Sequence, residues 1–326
     1  MQFPYHVLIG LAAKIPISDP VPVSSISPIV LECPDRPVDL QVRVTYPTTL
    51  TSSSTQSHPV VIISHGRGES NYLSSLDGYA PLAEFYASHG FVVLLPTLLG
   101  SSYLGLNDST GHELFWDQRP KDISRVIDKL EAIESAIPSL HGRLDTDKIV
   151  AVGHSFGGQG TSFLLGATNT DPRTNVTTDL KDERIKAGII IAGTGNGGKD
   201  LSEDGAKLNP AYGPDFSSMK APALVVYGDE DVSPHLTVRD ADWHADPYKL
   251  SPEGNKSLFT VRGGKHHLGG VSGWDAAEAK DESPERLAAV QRLTWAWLWS
   301  QVYEGDKAWE EAVKGLDESI GTVESK

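Results

Sequence analysis

Two hydrophobic rhythms alternate along most of this chain. Val38–Tyr46 places Val38, Leu40, Val42 and Val44 against Asp39, Gln41, Arg43 and Thr45, the period of a half-buried strand, and Pro47 ends it. Val60–Ser64, Phe91–Leu95, Asp147–Val152, Ile185–Ala192, Ala221–Tyr227 and Leu258–Val261 are short, mostly apolar runs. Such runs are buried on both faces of a parallel sheet. Between them lie segments with apolar residues three or four apart: Tyr79–His89, ending at Gly90, and Gln118–Ile137, stopped by Pro138. A helix over Gly160–Ala167 follows the third apolar run. Ser283–Tyr303 opens with a capping serine, a first-turn proline and Glu285, and its Trp295, Trp297, Leu298 and Trp299 read as core packing.

Strands alternating with helices predict an α/β fold: a mostly parallel central sheet, helices on both faces, and chemistry at the carboxyl ends of the strands. Residues 38–326 read as a single domain, with lid-like strand-end loops at about 97–117 and 193–217. Residues 1–37 read as an arm packed on the body, with 15–37, rich in proline and serine, extended and irregular. The Thr/Ser run at 48–57 reads as a surface loop, and Leu258–Val261 as the last strand.

Composition narrows the function. The 326 residues carry a formal net charge of −15, which disfavours nucleic acid and anionic membranes as partners. No apolar run approaches the roughly 20 residues that span a bilayer. A single cysteine, Cys33, leaves no internal disulfide and points to a cytoplasmic, reducing compartment. Asn107, Asn175 and Asn255 open glycosylation acceptor patterns that would matter in a secreted chain.

Candidate chemistry gathers after the strands. Ile149–Gly158 runs from strand to tight turn to helix, with Ser155 at the apex of Gly-x-Ser-x-Gly. A serine hydroxyl needs a base and a group that orients the base. Acids follow the strand at 221–227, and two histidines follow the strand at 258–261. Asp231 is preferred to Asp229, because the chain must clear the turn before a carboxylate can reach across. His266 is preferred to His267, since neighbouring side chains diverge; His58, His89, His141 and His244 read as surface or core. Backbone N–H groups of Phe156 and Arg67 would form the oxyanion hole. Tyr103, Phe115, Trp116 and Tyr212 are candidate pocket aromatics. Asp240, Asp242, His244 and Asp246 could suggest a metal, but an acidic surface turn is the preferred reading, and no metal is expected.

His65-Gly-Arg-Gly68, Gly153-His-Ser-Phe-Gly157, Gly228-Asp-Glu-Asp231 and Gly263-Gly-Lys-His266 resemble the α/β-hydrolase superfamily. More narrowly, they resemble the branch of platelet-activating-factor acetylhydrolases, chlorophyllase-like enzymes and dienelactone-hydrolase-like or cutinase-like polyesterases. The resemblance spans roughly residues 38–303; the loops at 97–117 and 193–217 match no subgroup. It implies a serine hydrolase that cleaves a moderately hydrophobic carboxylic ester or lactone through an acyl-enzyme, without cofactor. By position the nucleophile falls on Ser155, the acid on Asp231 and the base on His266. Hydrolytic C–C cleavage and acyl transfer use the same triad and stay open as alternatives. A non-catalytic binding protein would have no need of the complete set.

Overall fold

Alternate residues of one central strand explain how the core is built. Val60 and Ile62 enter one apolar cluster, Val61 and Ile63 the other, and all four are fully buried. A strand with both faces covered can therefore be apolar throughout. A computed structural model describes residues 5–48, 57–68, 70, 72–106 and 113–326. The acceptor pattern at Asn107, most of the Thr/Ser run and part of the 97–117 loop lie outside the described residues.

The described strands of the main sheet are β1 (Val23–Leu31), β2 (Leu40–Pro47), β3 (His58–Ser64), β4 (Val92–Pro96), β5 (Leu144–His154), β8 (Ile185–Ile191), β10 (Ala223–Gly228), β11 (Lys256–Val261) and β12 (Gly321–Ser325). A small antiparallel sheet combines β6 (Thr168–Thr170), β7 (Thr177–Asp179) and β9 (Pro214–Asp215). The main sheet runs β1-β2-β4-β3-β5-β8-β10-β11-β12. From β4 to β11 neighbours are parallel; β1, β2 and β12 add antiparallel edges.

Helices cover both faces. α1 (Ala80–Ser88) and α5 (Pro284–Val302) pack on the side of Val61 and Ile63. α2 (Gln118–Asp128), α3 (Leu130–Ala136) and α4 (Phe156–Leu164) lie with Val60 and Ile62, although α4 also touches β5 and β8 directly. Ser283 caps α5 by accepting the Arg286 amide. Trp297 is fully buried and Trp295 stacks on Trp299 with centroids 5.2 Å apart.

Several expectations need correction. The 15–37 arm is not wholly irregular: Val23–Leu31 pairs with β2 across a register shift between Ile26 and Ile29. Serines and Pro28 break its alternation, as an edge strand tolerates. The helix predicted over 118–137 is two, because Lys129 leaves helical geometry (φ −110°, ψ 13°). Leu258–Val261 is not in the last strand, since β12 pairs antiparallel with β11 at the sheet edge. The 193–217 segment holds a short helix, Glu203–Leu208, and β9. Among the described residues, no helix is long and apolar enough to cross a membrane.

Candidate active site

Close backbone approach explains the two glycines around Ser155. A Cβ on Gly153 would lie 2.1 Å from the Gly157 carbonyl oxygen, and one on Gly157 would lie 1.9 Å from that of Ser64. β5 can therefore turn into α4 with no side chain between turn and neighbouring strand. Ser155 sits at φ 56°, ψ −123°, a conformation that L residues avoid. Its amide is tied to the Ile191 carbonyl at 2.9 Å, so the sheet holds the strain in place.

Three strand-end loops then converge. His266 Nε2 lies 2.9 Å from Ser155 Oγ, and His266 Nδ1 lies 3.0 and 3.2 Å from the two Asp231 oxygens. Asp231 is buried, with its side chain 2% exposed, while His266 is 31% exposed. Burial opposes charge on His266, but the Asp231 carboxylate prevails and holds the imidazole above its ordinary pKa. Burial pushes Asp231 upward too, yet His266 keeps it below the usual carboxylate value.

The rejected neighbours have other tasks. Asp229 accepts the Gly263 amide at 2.7 Å and so ties the two acid- and base-bearing loops. His267 is buried against Ser272 Oγ at 2.6 Å, and burial, with His266 nearby, lowers its pKa to about 4.

A buried hydrogen-bond chain sets the loop at 65–68. His154 Nε2 faces the His266 carbonyl at 2.8 Å, and a carbonyl only accepts, so this nitrogen carries the proton. His154 Nδ1 then accepts from the Tyr79 hydroxyl at 2.7 Å, which itself accepts the Gly66 amide at 2.9 Å. Arg119, 1% exposed, donates to the His65 carbonyl at 2.8 Å. His65 accepts the Leu98 amide on Nε2, and burial, reinforced by Arg119, lowers its pKa to about 3. The periodicity of the chain carries no sign of this chain; a buried tyrosine hydroxyl that must find a partner was the available hint. Phe156 opens α4, where a helix offers its amides no acceptor. Arg67 lies on the rim of the serine cavity.

That cavity measures about 290 Å³ and is walled by Arg67, Phe156, Leu208, Leu236, His235 and Glu278 around Ser155 and His266. Leu208 comes from the short helix in the 193–217 segment. None of the four aromatics expected in the pocket lines it. Tyr212 is buried, bonding Thr194 Oγ1 and the Gly195 carbonyl at 2.7 Å each, because its hydroxyl must be satisfied. Trp116 packs edge-on against Phe163, and Tyr103 is 55% exposed. Phe115 borders an adjoining cavity of about 230 Å³ that shares Arg67.

The acidic stretch 240–246 does not converge. Asp242 pairs with Arg239 and Lys249, and Asp246 with Arg239 and the Asn196 amide. His244 instead turns inward to Asp231, Nε2 to Oδ2 at 3.3 Å, so it is neither a surface nor a plain core histidine. Asp231, His244 and His266 hold three ligand-type atoms within 4.8 Å of one another, brought together by the His266–Asp231 hydrogen bonds and the approach of His244.

A family model described as "Alpha/beta hydrolase family" matches residues 60–318. No curated protein matches the chain.

Proposed function

The chain belongs to the alpha/beta hydrolase family and has its fold, and from that premise we propose that it is a serine hydrolase acting on a carboxylic ester or lactone. The observation that carries this reading is the run of contacts from Ser155 Oγ through His266 to Asp231 at the strand ends. His266 would take the serine proton as Oγ attacks the carbonyl, and Asp231 would hold the imidazole in its Nδ1–H tautomer and offset its charge. The Arg67 and Phe156 amides would receive the developing oxyanion, a contribution of about 3–4 kcal/mol each in comparable sites. His266 would return the proton to the leaving alcohol, and water would then release the acyl group by the same route.

Leu208, Leu236 and Phe156 favour a moderately hydrophobic substrate, and about 290 Å³ favours a small acyl group. An active-site fluorophosphonate tests the reading. Wild type should be labelled at Ser155 and should turn over p-nitrophenyl esters, while Ser155→Ala should do neither. Equal labelling of the two proteins would remove the proposed nucleophile. A panel of acyl chain lengths, lactones and polyesters then defines the substrate.

A further inference from the structure

One buried chain of hydrogen bonds joins the loop that carries Arg67 to the loop that carries His266. At its first end, the peptide between His65 and Gly66 is held at both poles. Arg119 donates to its carbonyl at 2.8 Å, and its N–H donates to the Tyr79 hydroxyl at 2.9 Å. The next peptide bears the Gly66 carbonyl, which accepts from His65 Nδ1 at 2.8 Å. A trans peptide points its N–H opposite to its carbonyl, so the Arg67 amide faces away from the His65 ring. Among the described residues that amide has no acceptor, and Arg67 borders the serine cavity.

Tyr79 holds a strained place to make this contact. Its backbone is left-handed at φ 58°, a conformation that a bulky residue avoids, and it stands just before α1. Its amide donates to the Ser272 carbonyl at 3.0 Å, past the base, while its hydroxyl reaches back to the site. A Cβ on Gly66 would stand 3.0 Å from that hydroxyl and 3.3 Å from His154 Nδ1, so glycine leaves room for both. Burial raises the pKa of the Tyr79 phenol. Burial, with His266 and His267 nearby, holds His154 well below the ordinary histidine value. Both groups are neutral at neutral pH, and the protons then have one arrangement. The Gly66 N–H donates to Tyr79, the Tyr79 hydroxyl to His154 Nδ1 at 2.7 Å, and His154 Nε2–H to the His266 carbonyl at 2.8 Å.

Building on the serine-hydrolase reading, we propose that Tyr79 and His154 are positioning residues that hold the oxyanion amide and the base in register across Ser155. Tyr79 fixes the peptide before Arg67, and His154 fixes the backbone of His266. Both act through backbone groups, so their removal falls on the transition state more than on ground-state binding.

Tyr79→Phe keeps the ring and removes the hydroxyl. Its kcat for a p-nitrophenyl ester should fall about tenfold or more, approaching the roughly 10²–10³ of a whole oxyanion donor, while KM changes less than about threefold. Affinity for a trifluoromethyl ketone, whose serine adduct carries the oxyanion, should weaken by the same factor as kcat/KM. Loose packing alone lowers the active fraction and leaves that affinity in place. An unchanged kcat, or a ketone affinity at the wild-type value, overturns the proposal. In ¹⁵N-histidine-labelled wild-type protein at neutral pH, His154 should carry its proton on Nε2 and leave Nδ1 bare. A proton on Nδ1 overturns the proposal, and this spectrum decides where Tyr79→Phe does not fold. Undiminished turnover in Ser155→Ala would overturn the hydrolase reading itself, whereas failure of the Tyr79→Phe arm alone leaves that reading intact.

Discussion

Asp231 gives His266 its basicity, and the consequence is a pH dependence of known sign. His266 must be neutral to accept the Ser155 proton, and its pKa is raised by the carboxylate 3.0 Å away. The acid limb of kcat/KM should therefore lie above about 6.5, the ordinary histidine value. Asp231→Asn removes the charge, so the limb should move to lower pH while the rate drops by about four orders of magnitude, as the tautomer is no longer enforced. A pH profile of p-nitrophenyl ester hydrolysis reads both. A limb unmoved in Asp231→Asn would mean that another group orients the base. Asp229 makes the contrast: two residues away, it spends its carboxylate on the Gly263 amide.

At the scale of the element, the strand-to-helix turn is held by contact distances that differ from one glycine to the next. A methyl on Gly157 would meet the Ser64 carbonyl at 1.9 Å, so β3 and α4 must part. Gly157→Ala should cost about 1–3 kcal/mol, seen as a lowered Tm and lost labelling at Ser155. Gly160, one turn further along α4, has only Arg119 and Pro120 atoms at 3.7–3.8 Å, an ordinary contact. Gly160→Ala should raise the Tm, because alanine is worth about 1 kcal/mol over glycine in a helix interior. Melts of the two variants in opposite directions would separate steric approach from helix propensity. A shared sign would refute that account.

Across the whole molecule, the base-bearing strand depends on a distant end of the chain. β12 covers the edge of β11, and the Lys326 amide and carbonyl both bond Lys256. Arg262, next to the base loop, donates its amide to the Ile320 carbonyl at 2.8 Å. Deleting residues 321–326 should expose the β11 edge, lower the Tm and promote association, measurable by thermal melt and light scattering. A deletion variant that melts and scatters like wild type would show that the edge strand is dispensable.

How much of this was legible in the sequence differs with the range of the interaction. Periodicities of two and 3.6 residues, together with turn residues, located β2, β3, β4, β5, β8, β10 and β11, because burial on a regular element writes itself into neighbouring positions. Motif spacing singled out Ser155, Asp231 and His266, since each follows a strand whose end the pattern already marks. Edge strands β1 and β12 escaped, because one side of each is open and their residues need not be apolar. The pocket escaped for another reason: aromatic residues near the strand ends serve packing as readily as ligands, and only the folded chain turned Tyr212 inward and brought Leu208 to the serine. Tyr79 meets His154 across 75 residues, His154 meets the His266 carbonyl across 112, and His244 meets Asp231 from a separate turn. Local chemistry dictated which elements form and which residues stand at their ends. Which side chains then touch was decided by tertiary packing, because it depends on the register and order of strands far apart in the chain.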